Sequence, residues 1–211
     1  LTNIDIVGGG GGNGSESYEL AAYALAYHTD IDCFNKRGKK GYVFFSGDDA
    51  NFPYVDANHV RSIIGDDIRE DISTADVYRK LRERFHVFCL IPPGHSQQAV
   101  PQWKALIGDH VIPIVGEHND LVDETCTVIS SIVALTEGRV ADLPALAERF
   151  TNDGMDRKRV QYLVQTLTPF AATLQADGVP QPKVEEPDLP TGGDRAHRPT
   201  PRERRQARDN A

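Results

Sequence analysis

Two stretches of this chain carry residues able to do chemistry at close quarters. The first is Gly8–Glu16, a glycine run that ends in Asn13-Gly14-Ser15-Glu16. The second is Ser46-Gly47-Asp48-Asp49, which follows the apolar run Tyr42-Val43-Phe44-Phe45. A glycine loop bares backbone N–H groups and lets an ion or another chain approach closely. Paired carboxylates at a strand end offer hard oxygen ligands to Mg²⁺ or Ca²⁺. Both stretches follow segments with strand character. In open α/β sheets, ligands bind beyond the carboxyl ends of the strands.

The elements that must position these loops follow from hydrophobic periodicity. Asn3–Val7 alternates polar and apolar residues, as a half-buried strand does. Leu20, Tyr23, Ala24 and Tyr27 share one helical stripe and predict a helix of about four turns. Asn13 would be its N-cap, with Glu16 as reciprocal partner in the first turn. Asn35–Lys40 reads as a basic, solvated loop. Residues 42–45 and His86–Ile91 predict strands buried on both faces, the second stopped by Pro92-Pro93. Residues 50–72 show no clear period. Ser73-Thr74 would cap a helix carrying Val77, Leu81 and Phe85, and residues 99–107 predict a short helix around Trp103. Val111–Val115 predicts a further strand, placed at a sheet edge because Pro113 lacks a ladder donor. Asn119 and Asp120 would start a helix turning Leu121, Thr125, Val128, Ile129, Ile132 and Val133 inward.

This alternation predicts an α/β fold with an open, mostly parallel sheet and helices on both faces. The expected organisation has three parts. Residues 1–137 form the α/β domain. Residues 138–175 form a helical extension, with helices over 142–150 and 156–174 and Pro169 near the end. Residues 176–211 form a Pro- and Arg-rich tail, expected to be disordered because it has too little apolar surface to offset its ordering entropy.

Composition narrows the function. The 211 residues are 39% hydrophobic and 26% charged, with a formal net charge of −8. An acidic chain repels the phosphate backbone, which disfavours broad nucleic-acid binding. No run of about 18 apolar residues predicts a membrane span. Leu1–Val7 lacks the features of a signal peptide. Cys33, Cys89 and Cys126 form no CxxC pair, and Cys89 and Cys126 lie in apolar runs expected to bury them. A reducing cytoplasm fits. The seven histidines show no metal-ligand spacing. Because the chain begins with Leu1 and its one methionine is Met155, a longer gene product is expected.

Two enzyme readings use the same loops. Gly9, Gly11 and Gly14 match G-x-G-x-x-G, but in so glycine-rich a loop the match is nearly free. The acidic residues at the required distance, Asp30 and Asp32, precede a basic loop and do not end a strand. No lysine follows the glycines, so the loop is no P-loop. A strand–GDD–strand turn of the polymerase kind would need a further aspartate strand upstream. Plainer readings remain open beside these: Asp48 and Asp49 as turn caps, and Asn13 and Ser15 as helix caps.

Taken in order, the two loops and their neighbours resemble the von Willebrand factor A (VWA) domain. The likeness rests on GGGGGNGSESYELAAY followed by KRGKKGYVFFSGDD, then HVFCLIPP, HVIPIV and SSIVALTEG. It covers about residues 1–140 and is nearest to a bacterial subgroup. The resemblance implies a metal-ion-dependent adhesion site: Mg²⁺, or Mn²⁺ or Ca²⁺, at the top of the sheet, with an open position for a carboxylate of a protein partner. The third-loop aspartate falls on Asp48, and the second-loop ligand on Asn13 or Ser15, where the usual threonine is missing. The first-loop D-x-S-x-S motif is absent. The implied sheet order is 3-2-1-4-5-6, with Asn3–Val7 as the third strand, so the first two strands are expected upstream. The implied role is binding, not catalysis, with an AAA+ ATPase or a bacterial stress or defence system as context. Two alternatives stand beside it: a Rossmann-like nucleotide-binding enzyme, and a degenerate metal-free interaction scaffold.

Overall fold

The computed structural model describes residues 15–95, 97–117 and 121–176. Asn3–Val7, the glycine run, Asn13, the helix start at Asn119 and Asp120, and residues 177–211 lie outside the described residues.

At the centre are three parallel strands in the order β2 (Gly41–Ser46), β6 (Phe85–Ile91), β7 (Val111–Pro113). β2 and β6 pair residue for residue from Gly41↔Phe85 to Ser46↔Leu90. β7 pairs with β6 from Cys89↔Val111 to Ile91↔Pro113. As its proline requires, β7 has no second neighbour among the described residues. Two further pairings are short: β1 (Ser15–Glu16) lies parallel to β3 (Ala50–Asn51), and β4 (Tyr54–Val55) antiparallel to β5 (Ile72–Ser73).

Side chains alternate along β6 and divide the molecule into two cores. Phe85, Val87, Cys89 and Ile91 face a layer made of α1 (Tyr18–His28), α4 (Thr74–Arg84) and α5 (Val100–Ile107). Phe88 and Leu90 face α6 (Leu121–Thr136), α7 (Leu143–Asn152) and α8 (Arg157–Ala176). The protein is thus a mixed α/β structure with small parallel sheets and helices on both faces. The helices after residue 138 share their core with the sheet, since Leu146, Leu163, Leu167 and Phe170 pack with Phe88, Leu90 and Ile112. Among the described residues no helix is long and apolar enough to cross a membrane.

Several local expectations are corrected. α1 begins at Tyr18 with Ser17 as N-cap and runs 11 residues, so Glu16 precedes the helix and does not lie in its first turn. Glu16 instead pairs with Asn51 in the β1–β3 ladder. The buried stripe of α1 is Ala22, Tyr23 and Ala26, while Tyr27 is 47% exposed. Tyr23 reaches Asp66 with its hydroxyl (2.7 Å), which anchors the helix one position away from the stripe that Leu20 and Tyr27 imply. Asn35–Arg37 belongs to a short helix, α2 (Asp32–Arg37), ended by Gly38 at φ 65°. Glycine takes that left-handed conformation without steric penalty. Phe85 opens β6 and does not lie on the α4 stripe. Cys126 is exposed, because the inward stripe of α6 runs through Val128, Ile132 and Leu135. Residues 50–72 hold β3, β4, a short helix α3 (Ala57–His59) that widens into a π turn over Val60–Ile64, and the start of β5.

Candidate functional site

The segment that leaves β2 is held at the carboxyl end of the sheet by side chains from three helices. Gly47 N–H donates to Leu90 O (3.2 Å) and extends the ladder one residue past Ser46. The Asp49 carbonyl accepts from Trp103 Nε1 of α5 (3.0 Å). Gln102 takes both backbone groups of Asn51: its Oε1 accepts from Asn51 N and its Nε2 donates to Asn51 O, each at 2.7 Å. A side-chain amide thereby stands in for a neighbouring strand. Tyr78 of α4 donates to Asn51 Oδ1 (2.9 Å). Glu19 of α1 accepts from Phe52 N–H (3.2 Å), and Thr74 Oγ1 donates to Phe52 O (2.7 Å).

These anchors are costly to bury, and their hydrogen bonds offset part of that cost, while Asn51 Nδ2 stays buried without a partner among the described residues. Glu19 and Asn51 are 3% and 1% exposed. Burial raises the Glu19 pKa, against the opposing effect of the backbone N–H donors. Burial also drives the Tyr78 phenol upward and pushes the Cys89 thiol up to about 12, which keeps both neutral. Tyr18 lies among these groups with its ring edge-on to Trp103 (5.3 Å) and near Phe45 (6.2 Å). Its hydroxyl is buried against Gly47, beside the Glu16 carboxylate, with no partner at hydrogen-bond geometry among the described residues. Burial first, and then the neighbouring Glu16 carboxylate, raise its pKa.

The sequence-expected ligands come together only in part. The parallel register Ser15↔Ala50 sets Ser15 beside the segment that carries Asp48. Asn13 lies outside the described residues. Asp48 Oδ2 meets His95 Nδ1 at 3.2 Å, on the loop that leaves β6. Among the described residues no three His, Cys, Asp or Glu side chains converge as a metal would need. Asp48 and Ser15 have the hard oxygen donors that suit Mg²⁺, but alone they do not fill its shell.

No family model, curated protein or solved structure matches the chain.

Sequence reasoning missed His95, Gln102, Glu19 and Tyr18. His95 was findable, since it follows the Pro92-Pro93-Gly94 stop of β6 and so lies at a strand's carboxyl end, where ligands bind. Gln102 and Glu19 gave no signal. Each acts through a backbone group of a segment far away in sequence.

Proposed function

We propose that this chain is a protein-binding module of VWA type, whose binding face is the carboxyl end of the sheet around Asp48. A divalent cation at Asp48, Ser15 and Asn13 would supply the charge that captures an acidic side chain of the partner. The observation that supports this reading is the Ser15↔Ala50 register, which sets Ser15 beside the segment that carries Asp48. Asp48 would hold the ion, Ser15 would offer a neutral oxygen, and the side-chain anchors on Asp49, Asn51 and Phe52 would keep the loop in shape. An AAA+ ATPase is the partner class that the family resemblance supplies.

A second reading has its own support. The Asp48–His95 pair satisfies the carboxylate within the chain, as a metal-free scaffold would. Calorimetry of Mg²⁺ and Mn²⁺ separates the two, with Asp48→Ala and His95→Gln as variants. The cation reading expects saturable binding that Asp48→Ala abolishes and His95→Gln preserves. The absence of binding in both the parent chain and His95→Gln would leave the metal-free scaffold.

A further inference from the structure

We propose that the cavity at the carboxyl end of β7, between α6 and α8, binds the ammonium head of a small primary amine through the Glu124 carboxylate. The ladder runs one residue past β7, where Ile114 N–H donates to Ile91 O (2.9 Å), and the chain then leaves the sheet through Val115, Gly116 and Glu117. Beyond the carboxyl ends of parallel strands is where open α/β sheets take ligands. Ile114, Val128 and Leu163 line the cavity with apolar surface, Thr127 and Tyr162 with hydroxyls, and Glu124 with its carboxylate. The volume is about 20 Å³, enough for about one water-sized group. An ammonium head has that size.

The carboxylate is only half used. Its Oε1 accepts from Glu117 N–H (3.3 Å) and so ties the loop after β7 to the first turn of α6. Its Oε2 is buried and has no hydrogen-bond partner among the described residues. The neighbouring cations are engaged elsewhere. Lys158 pairs with Glu117, and Arg159, which also lines the cavity, pairs with Asp123. A buried carboxylate oxygen with neither donor nor counter-charge is costly. A monovalent cation bearing N–H donors supplies both. The loop is also shaped to the carboxylate: a Cβ on Gly116 would lie 2.1 Å from Oε2 and 2.5 Å from the carboxyl carbon. The group thus occupies space that a side chain at 116 would take.

The donor set favours an amine over a divalent metal. Mg²⁺ and Ca²⁺ call for about six oxygen ligands or more. Among the described residues no three His, Cys, Asp or Glu side chains converge here. An ammonium needs one strong acceptor, and its short carbon chain can rest on the apolar wall. The small volume restricts the ligand to a short amine.

The test is an NMR titration of the chain with ethylammonium chloride, following the amides of Val115, Gly116, Glu117 and Thr127. Sodium chloride and tetramethylammonium chloride at equal ionic strength are the comparisons, the second a cation without N–H donors. The expected result is a saturable shift with ethylammonium alone, in the millimolar range because so few atoms make contact. Glu124→Gln keeps an oxygen for Glu117 N–H but removes the charge, and should weaken binding at least roughly tenfold. Gly116→Ala should abolish it while the fold persists, since the atoms displaced are the far end of a flexible side chain. The comparison among salts needs no variant, so a folding defect in either substitution leaves the test intact. No saturable shift with ethylammonium overturns the proposal, as does an equal response to sodium or unchanged affinity in Glu124→Gln. Glu124 is not a ligand in the cation reading, and Asp48→Ala should leave ethylammonium binding unchanged, so the two ideas fail separately.

Discussion

The first face of the sheet buries polar groups along with apolar ones: Glu19, Asn51 and Thr74 are almost fully enclosed beside Tyr78 and Trp103. The second face buries two hydroxyl residues, Ser131 and Thr166, within a core of leucine, isoleucine and phenylalanine. Ser131 bonds back to its own helix at Thr127 O (2.6 Å), and Thr166 accepts from Val115 N–H (2.9 Å) at the end of β7. On the first face the polar bonds converge on one segment, residues 49–53. A buried polar group costs stability unless it is bonded, so such a concentration marks a segment whose shape matters. The first layer orders the candidate site. The second mainly supplies apolar mass.

The largest expected effect tests that division directly. Trp103→Ala removes a ring 1% exposed and should cost about 3–5 kcal/mol in denaturant unfolding. Phe170→Ala on the opposite face is also 1% exposed and should cost a similar amount. The two should differ in local consequence. Trp103→Phe, which keeps a ring but loses the bond to the Asp49 carbonyl, should cost about 1 kcal/mol from that bond and speed amide exchange over residues 49–53. Phe170→Ala should leave exchange there unchanged relative to the rest of the chain. Equal loosening of residues 49–53 by both would abolish the distinction between the layers.

A smaller effect comes from Gly47. A Cβ added there would lie 1.8 Å from the Tyr18 hydroxyl oxygen and 2.8 Å from its ring carbon. Gly47→Ala should therefore destabilise by about 1–3 kcal/mol, the usual range for overpacking. Tyr18→Phe removes a buried hydroxyl that has no partner among the described residues, so alone it should be neutral or stabilising by up to about 1 kcal/mol. Combined, the two should recover part of the Gly47→Ala loss, since the hydroxyl contact goes and the ring contact stays. Strict additivity in that cycle would mean that Tyr18 is not what makes glycine necessary at 47.

The same contrast explains which parts of the molecule were legible in the sequence. β2, β6 and β7 were readable because continuous apolar runs bounded by glycine or proline leave few alternatives to a buried strand. The edge position that β7 has among the described residues followed from Pro113 alone. The α6 stripe was readable at Val128 and Ile132, but Cys126 was misplaced because an apolar neighbourhood in sequence does not fix the side of a helix. The start of α1 failed for another reason. Asn13 and Glu16 have the spacing of a helix cap, but the ladder to Ala50 and Asn51 claims Ser15 and Glu16 and delays the helix to Tyr18. Asp48 and Ser15 were singled out because strand ends are where ligands bind. Gln102 and Glu19 were not, since their partners are backbone atoms that no side-chain pattern reveals.

The smallest expected effect comes from pH. Burial raises the pKa of Glu19 in the folded protein, so the folded state holds that proton more tightly than the unfolded chain. Stability from this group is therefore complete below the ordinary glutamate value of about 4.3. It falls as pH rises through the raised folded-state value and stays lower beyond it. Glu19→Gln retains an oxygen for Phe52 N–H and carries no charge. It should match the parent chain in acid and exceed it at neutral pH, with the difference opening above about pH 4.3. Urea unfolding at a series of pH values measures this as a change in slope. The effect should be modest, because the charged form also accepts a bond from Phe52 N–H that offsets part of its desolvation. Parallel curves for the two proteins would mean that the carboxylate is better solvated than its enclosure implies. The first face would then bury its polar groups no more expensively than the second.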